Sequence, residues 1–114
     1  MNLPVQYTPG LGLNSFADKA DQFLRGEDTP SNFLDRCITS INTQEPEVKA
    51  WVTTRLDAVR AEAKTADRRY ASGTPLSPVD GMPIGIKDVI QTRDMPTKFG
   101  SPIFDNNETR FDSA

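Results

Sequence analysis

The strongest local pattern in the sequence runs from Met82 to Ile90 and reads Met-Pro-Ile-Gly-Ile-Lys-Asp-Val-Ile. Its β-branched residues predict a strand, and Pro83 suits the start of that strand because proline cannot donate to a ladder. Side chains alternate along a strand, which places Gly85, Lys87 and Val89 on one face. The glycine predicts that another group approaches the backbone closely there.

Lys87 has two interpretations at this point. A lysine on an edge strand discourages aggregation, and this is a common use of the residue. A lysine held between a glycine and a valine is also poorly solvated, gives up its proton more readily and can act as a base. The strand pattern alone leaves both open.

Two helices are predicted before residue 50. The first begins at Ser15 and ends at Gly26, which stands where a C-cap glycine belongs. The second begins at the N-cap pair Thr29 and Pro30 and ends at Pro46. The apolar stripe of the second helix has helical spacing: Phe33, Leu34, Cys37, Ile38 and Ile41.

A short strand and a third helix follow. Ala50 to Thr54 is β-branched and aromatic, which predicts a strand with Trp51 in the core. Leu56 to Ala71 predicts an alanine-rich helix that Gly73 ends. The inward face of that helix consists of Leu56, Val59, Ala63, Ala66 and Tyr70. The pair Arg68–Arg69 is expected to lie on its solvated surface.

From Thr74 onward proline and glycine recur every few residues, which predicts strands and tight turns. The chain therefore divides into an irregular arm at 1–14, a mainly helical part with one short strand at 15–73, and strands and turns at 74–114.

Composition excludes several classes of protein. Thirteen basic and 16 acidic residues give a net charge of −3, which argues against nucleic-acid binding. The chain has no apolar run near the ~18–20 residues of a membrane-spanning helix. One cysteine, Cys37, and no histidine leave no internal disulfide, no zinc cluster and no histidine-based triad within these residues. We expect a cytoplasmic chain that uses no metal or cofactor and binds neither nucleic acid nor membrane.

The run Asp80 to Asp88 resembles the Gly-Ile-Pro-Ile-Gly-Ile/Val-Lys-Asp segment that marks the amidase signature family. Other parts of the chain are similar to that family too: Leu34–Ile38, Ala50–Val52, Ala66–Asp67, Asp94–Thr97 and Phe99–Ile103. The resemblance runs from about residue 15 to the end, and the lysine motif is its most specific part.

This resemblance implies an α/β fold in which helices flank a large mixed β-sheet, with this chain as the N-terminal part of a single amidase domain. It also implies hydrolysis of the C–N bond of a small-molecule carboxamide through a Ser–cis-Ser–Lys triad. In that triad a neutral, desolvated lysine is the ultimate base, and it activates the nucleophilic serine through a second serine. Backbone amides hold the oxyanion. Lys87 matches the family lysine. No cofactor or metal is implied.

The two family serines belong to a Gly/Ser-rich stretch well downstream of the lysine. Ser101 and Ser113 follow Lys87 here, but neither has a Gly-Gly-Ser-Ser context, and Ser101 before a proline favours a turn role. We therefore expect a truncated segment that carries one of three catalytic groups and is inactive alone. It should be marginally stable, or self-associating as a homo-oligomer, because helix faces and strand edges stay uncovered.

Two alternatives remain open. The first is that the chain is a catalytically inactive remnant or interaction module. The second is that it belongs to the glutaminase-type subunit of a tRNA-dependent amidotransferase, which requires partner subunits. Asp88 falls on the strand face opposite Lys87, so we expect it to hydrogen-bond backbone and not to pair with that lysine. Cys37, on an apolar helix face, is expected to be inert.

Overall fold

The computed structural model describes residues 14–114, in which three α-helices precede a long irregular segment. Helix α1 spans Lys19–Leu24, α2 spans Pro30–Val48, and α3 spans Leu56–Ala71. A short 3-10 turn occupies Pro102–Phe104. The arm predicted at 1–14 lies, except for Asn14, outside the described residues.

The predicted caps at the junction of α1 and α2 are confirmed. Gly26 adopts a φ of 71°, and its N–H donates to the carbonyl of Phe23 at 3.1 Å. Glu27 N–H donates to the carbonyl of Gln22 at 3.0 Å, which completes a Schellman ending. The Thr29 hydroxyl accepts the Asn32 N–H at 3.1 Å and caps the N-terminus of α2.

Helix α2 continues through Pro46, so the prediction that it ends there is wrong. Proline fixes φ near about −65°, which is a helical value, and its missing N–H removes one bond of the ladder. The helix ends instead at Val48, and the C-cap residue Lys49 adopts a left-handed φ of 51° while its N–H donates to the Glu45 carbonyl at 2.9 Å.

The core lies where α1 and α3 meet α2. One buried cluster is aromatic, with the Phe23 ring 5.1 Å from that of Tyr70 and the Phe33 ring 5.4 Å from that of Phe16, all edge to face. A second cluster joins Leu34, Ile38 and Ala63. The predicted bounds of α3 and its inward face are confirmed, with Leu56 and Val59 half-buried at its N-terminal end.

The two predicted strands, at 50–54 and 82–90, are not strands in residues 14–114. The described chain contains one isolated antiparallel bridge, between Thr92 and Met95, and the mixed sheet is not confirmed. β-Branched residues favour a strand only where a neighbouring strand pairs with their N–H and C=O groups, and neither segment has such a neighbour here.

A candidate catalytic lysine segment

The lysine segment, residues 80–90, is anchored to α3 at its first residue. The buried carboxylate of Asp80 accepts two hydrogen bonds from the Arg69 guanidinium, at 2.7 and 2.6 Å, and one from the Leu76 N–H at 3.0 Å. The Tyr70 hydroxyl donates to the Asp80 carbonyl at 2.9 Å. The hydrogen bonds from Arg69 are the main reason that the pKa of Asp80 is lowered.

The next residue lets the segment cross α2 closely. Gly81 adopts a φ of 81°, and a Cβ added there would stand 3.0 Å from the Pro30 ring. A larger residue would be strained by the left-handed backbone and would also clash. The lysine segment is therefore held to α3 at Asp80 and passes close to the N-terminus of α2 at Gly81.

Gly85 confirms the predicted close approach, and the group that approaches is Trp51. A Cβ built on Gly85 would lie 3.0 Å from the Cη2 atom of the Trp51 indole. The Glu45 carboxylate holds the Trp51 loop by accepting N–H groups from Ala50 and Trp51, at 3.1 and 2.9 Å. The prediction of Trp51 as a core residue is wrong, because 41% of it stays exposed and it covers a glycine on the surface.

Lys87 itself is exposed, and its side chain forms no hydrogen bond or ion pair with residues 14–114. The desolvated surroundings that the resemblance implies are therefore not formed by the described residues. The backbone beside it is well fixed, since the Lys87 carbonyl accepts the N–H groups of Val89 at 2.8 Å and Ile90 at 3.0 Å. A tight turn thus follows the lysine directly.

Asp88 hydrogen-bonds backbone, as the sequence predicts, and makes no ion pair with Lys87. Its Oδ1 atom accepts the Lys98 N–H at 2.8 Å, and its carbonyl accepts the Phe99 N–H at 3.1 Å. Its Oδ2 atom is buried and finds no partner in the described part of the chain. One residue therefore ties the lysine turn to the 97–99 segment twice.

The two serines after Lys87, Ser101 and Ser113, take part in hydrogen bonds that hold backbone turns together. Ser113 exchanges two hydrogen bonds with the Gln91 backbone, donating its N–H at 2.8 Å and accepting with its Oγ at 3.0 Å. Ser101 precedes the 3-10 turn, and its carbonyl accepts the Phe104 N–H at 3.0 Å. Neither serine forms a hydrogen bond with Lys87.

The described residues offer little else as a site. Two shallow depressions, of about 310 and 500 Å³, border α1 and the start of α3, and Lys87 lines neither. Over residues 14–114, His, Cys, Asp and Glu nowhere gather in a group of three that could hold a metal ion. In the same residues, every helix is too short or too polar to cross a membrane. Cys37 is half-buried, and burial raises the pKa of its thiol, which fits the expected inert cysteine.

Sequence reasoning missed one part of this site. Arg69 is not a freely solvated surface residue, because it pairs with Asp80 across the turn that follows α3. The helical periodicity of α3 shows that Arg69 lies beside Tyr70. It does not show which later residue of the chain contacts Arg69. Asp80, the acidic residue just before the Gly-Met-Pro run, is the feature of the sequence that indicates such an ion pair.

Comparison with known proteins matches this region to one family. Residues 32–114 match the family model described as Amidase. A glutamyl-tRNA(Gln) amidotransferase subunit of Chloroflexus aggregans is 45% identical over 78 residues, which cover 68% of this chain and 16% of that protein. The corresponding protein of Roseiflexus sp. strain RS-1 is 35% identical over 100 residues, or 88% of this chain and 20% of that protein.

A plant relative extends the match along the chain. The chloroplastic/mitochondrial glutamyl-tRNA(Gln) amidotransferase subunit of Sorghum bicolor is 29% identical over 108 residues, covering 93% of this chain and 20% of that protein. The chain thus spans about a fifth or less of the length of these relatives. The family match includes the whole lysine segment, and the chain belongs to the amidase signature family.

Proposed function

We propose that these residues are the lysine-bearing part of a single amidase domain that hydrolyses a carboxamide C–N bond, with Lys87 as the base. The observation that carries this proposal is the Lys87 motif, which lies inside the 32–114 family match. The sheet implied by the family, the small-molecule amide substrate and the cytoplasmic location are parts of the same proposal.

The chemistry follows from what a lysine can do when it is neutral. Its amine accepts a proton, through an intervening serine, from the hydroxyl that attacks the amide carbonyl. The protonated lysine then returns this proton, through the same serine, to the leaving nitrogen, and the tetrahedral intermediate expels ammonia or an amine. Water attacks the resulting acyl-enzyme, which releases the acid and restores the serine hydroxyl. The serines of this scheme are those of the family's Gly/Ser-rich stretch, and Ser101 and Ser113 do not supply them.

The exposure of Lys87 has a consequence within this proposal. A base role requires a neutral amine, and removal of water favours that form, so the proposal requires that other parts of the protein cover Lys87. The neighbours of Lys87 support such a cover, because Ile86, Val89 and Ile90 are also exposed. A surface that packs against these apolar side chains would also exclude water from the Lys87 amine.

The test is amide hydrolysis by the complete natural protein that contains these residues. Ammonia release is measured from propionamide, benzamide and L-glutamine, with Lys87→Ala compared against Lys64→Ala. Lys64 is an exposed lysine on α3 without an ion pair in residues 14–114, and it serves as the matched control. We expect Lys87→Ala to lower kcat by at least about 10²-fold, the typical contribution of a positioned base, and Lys64→Ala to leave it unchanged.

Two results would overturn the proposal. Full activity of Lys87→Ala would remove the lysine from the chemistry. A natural protein that is folded and releases no ammonia from any amide, alone or with partner subunits, would favour the inactive interaction module.

A second candidate function is the glutaminase-type subunit of a tRNA-dependent amidotransferase. The names of the relatives favour it, since the Chloroflexus, Roseiflexus and Sorghum proteins are all subunits of glutamyl-tRNA(Gln) amidotransferases. It predicts that glutamine is hydrolysed far faster than propionamide or benzamide, and that co-purified partner subunits are needed for full rate. An enzyme that prefers the simple amides and acts without partners contradicts it.

A further inference from the structure

We propose that Asp88 is a positioning residue, which fixes the backbone on the C-terminal side of Lys87 so that the amine meets its proton donor. This inference rests on the proposed role of Lys87 as a base. Asp88 itself touches no reacting atom in the proposal. It acts by holding the lysine turn against the 97–99 segment.

The first observation is the two-point anchor. Asp88 accepts the Lys98 N–H with its side chain at 2.8 Å and the Phe99 N–H with its backbone at 3.1 Å. Both acceptors belong to the residue next to Lys87, and both donors belong to consecutive residues of one segment. Two bonds at neighbouring points fix orientation as well as distance, whereas one bond leaves rotation free.

The second observation is that this arrangement costs stability. The Oδ2 atom of Asp88 is buried without a partner in residues 14–114, and so is the Oγ1 atom of Thr97. Phe99, at the other end of the anchor, holds a left-handed φ of 54° although it has a side chain. Buried unpaired polar atoms and left-handed non-glycine residues are each unfavourable, and such features cluster at functional sites.

The third observation is that no hydrogen bond or ion pair from residues 14–114 orients the Lys87 side chain. Its side chain is exposed and makes no contact with a charged partner in the described residues. A base has to lie within hydrogen-bond reach of its proton donor, and a misplacement of about 1 Å costs on the order of 10²-fold in rate. The direction in which the lysine leaves the backbone is therefore set by the turn that Asp88 holds.

The test compares three Asp88 variants of the complete natural protein in the ammonia-release assay. Asp88→Ala removes the side-chain acceptor. Asp88→Leu has the branching of aspartate without its oxygens and avoids a cavity. Asp88→Asn keeps an oxygen that can accept the Lys98 N–H. Asp105→Ala is the matched control, because Asp105 is an exposed carboxylate with no side-chain bond in the described residues.

We expect Asp88→Ala and Asp88→Leu to lower kcat by about 10- to 100-fold with KM within about twofold. Asp88→Asn should restore kcat to within about threefold of the natural protein, because the acceptor is back in place. Circular dichroism and gel filtration show whether each variant is folded.

Three outcomes would overturn the inference. Folded Ala and Leu variants with normal kcat would show that Lys87 needs no anchor. An Asn variant as slow as Ala would show that the charge matters and the anchor does not. Failure of both Ala and Leu to fold, with Asn active, would make Asp88 a residue of folding only. Each is distinct from failure of the proposed function, which appears as normal activity of Lys87→Ala.

Discussion

At the scale of single residues, a hydroxyl becomes a nucleophile only beside a base that can take its proton. The Ser113 hydroxyl oxygen accepts a hydrogen bond from the Gln91 N–H, and Ser101 directly precedes a 3-10 turn. We predict that Ser101→Ala and Ser113→Ala each keep amide hydrolysis by the complete natural protein within about twofold, since neither removes the nucleophile. Lys87→Ala is the inactive reference in the same assay. A loss of about 10²-fold or more in either serine variant would instead make that serine the nucleophile.

At the scale of elements, Asp80 joins α3 to the lysine segment, and its lowered pKa gives the joint a pH dependence. A carboxyl whose pKa is lower in the folded chain contributes stability above its unfolded pKa of about 3.9, and that contribution is lost as pH falls through the folded value. We predict that Asp80→Asn lowers the unfolding free energy by about 2 kcal/mol at pH 7, through the lost charged hydrogen bonds from Arg69. The difference should be smaller at pH 3 than at pH 7, because the contribution declines once pH falls below about 3.9, as measured by urea unfolding with Asp105→Asn as control. A difference that is the same at both pH values would contradict the ion-pair account.

The same scale shows what the sequence could predict. Helix α3 and the Thr29 cap follow from local signals, namely an apolar period of 3.6 and a side-chain acceptor beside Pro30. The close approach to Gly85 follows from a glycine inside a β-like run. The partner of that glycine, Trp51, does not, because it comes from a loop more than thirty residues earlier. The predictions of strands at 50–54 and 82–90 are wrong for the described residues 14–114. A strand needs a second strand to pair with, and the local sequence pattern does not show whether one is present.

At the scale of the whole molecule, the described chain leaves much apolar surface in water. Ile103 is 87% exposed, Leu76 is 76% exposed and Ile84 is 68% exposed. The radius of gyration is 16.8 Å, against roughly 13 Å for a compact domain of about 100 residues. We predict that the 114-residue chain self-associates, with a sedimentation coefficient that rises with concentration, because burial between copies removes large exposed apolar side chains from water. The double variant Leu76→Ser, Ile103→Ser should weaken this association. A monomer with one cooperative unfolding transition at all concentrations would contradict the prediction.

We propose that Lys87 works as a base and not merely as a positive charge. The most direct measurement is the pH–rate profile of the complete natural protein carrying Lys87→Arg. Arginine keeps the charge but does not release its proton in proteins. We predict that kcat falls by at least about 10²-fold and does not recover as pH rises from about 6 to 10. An arginine variant that keeps most of the natural rate would contradict this claim, and would make Lys87 an electrostatic or structural residue.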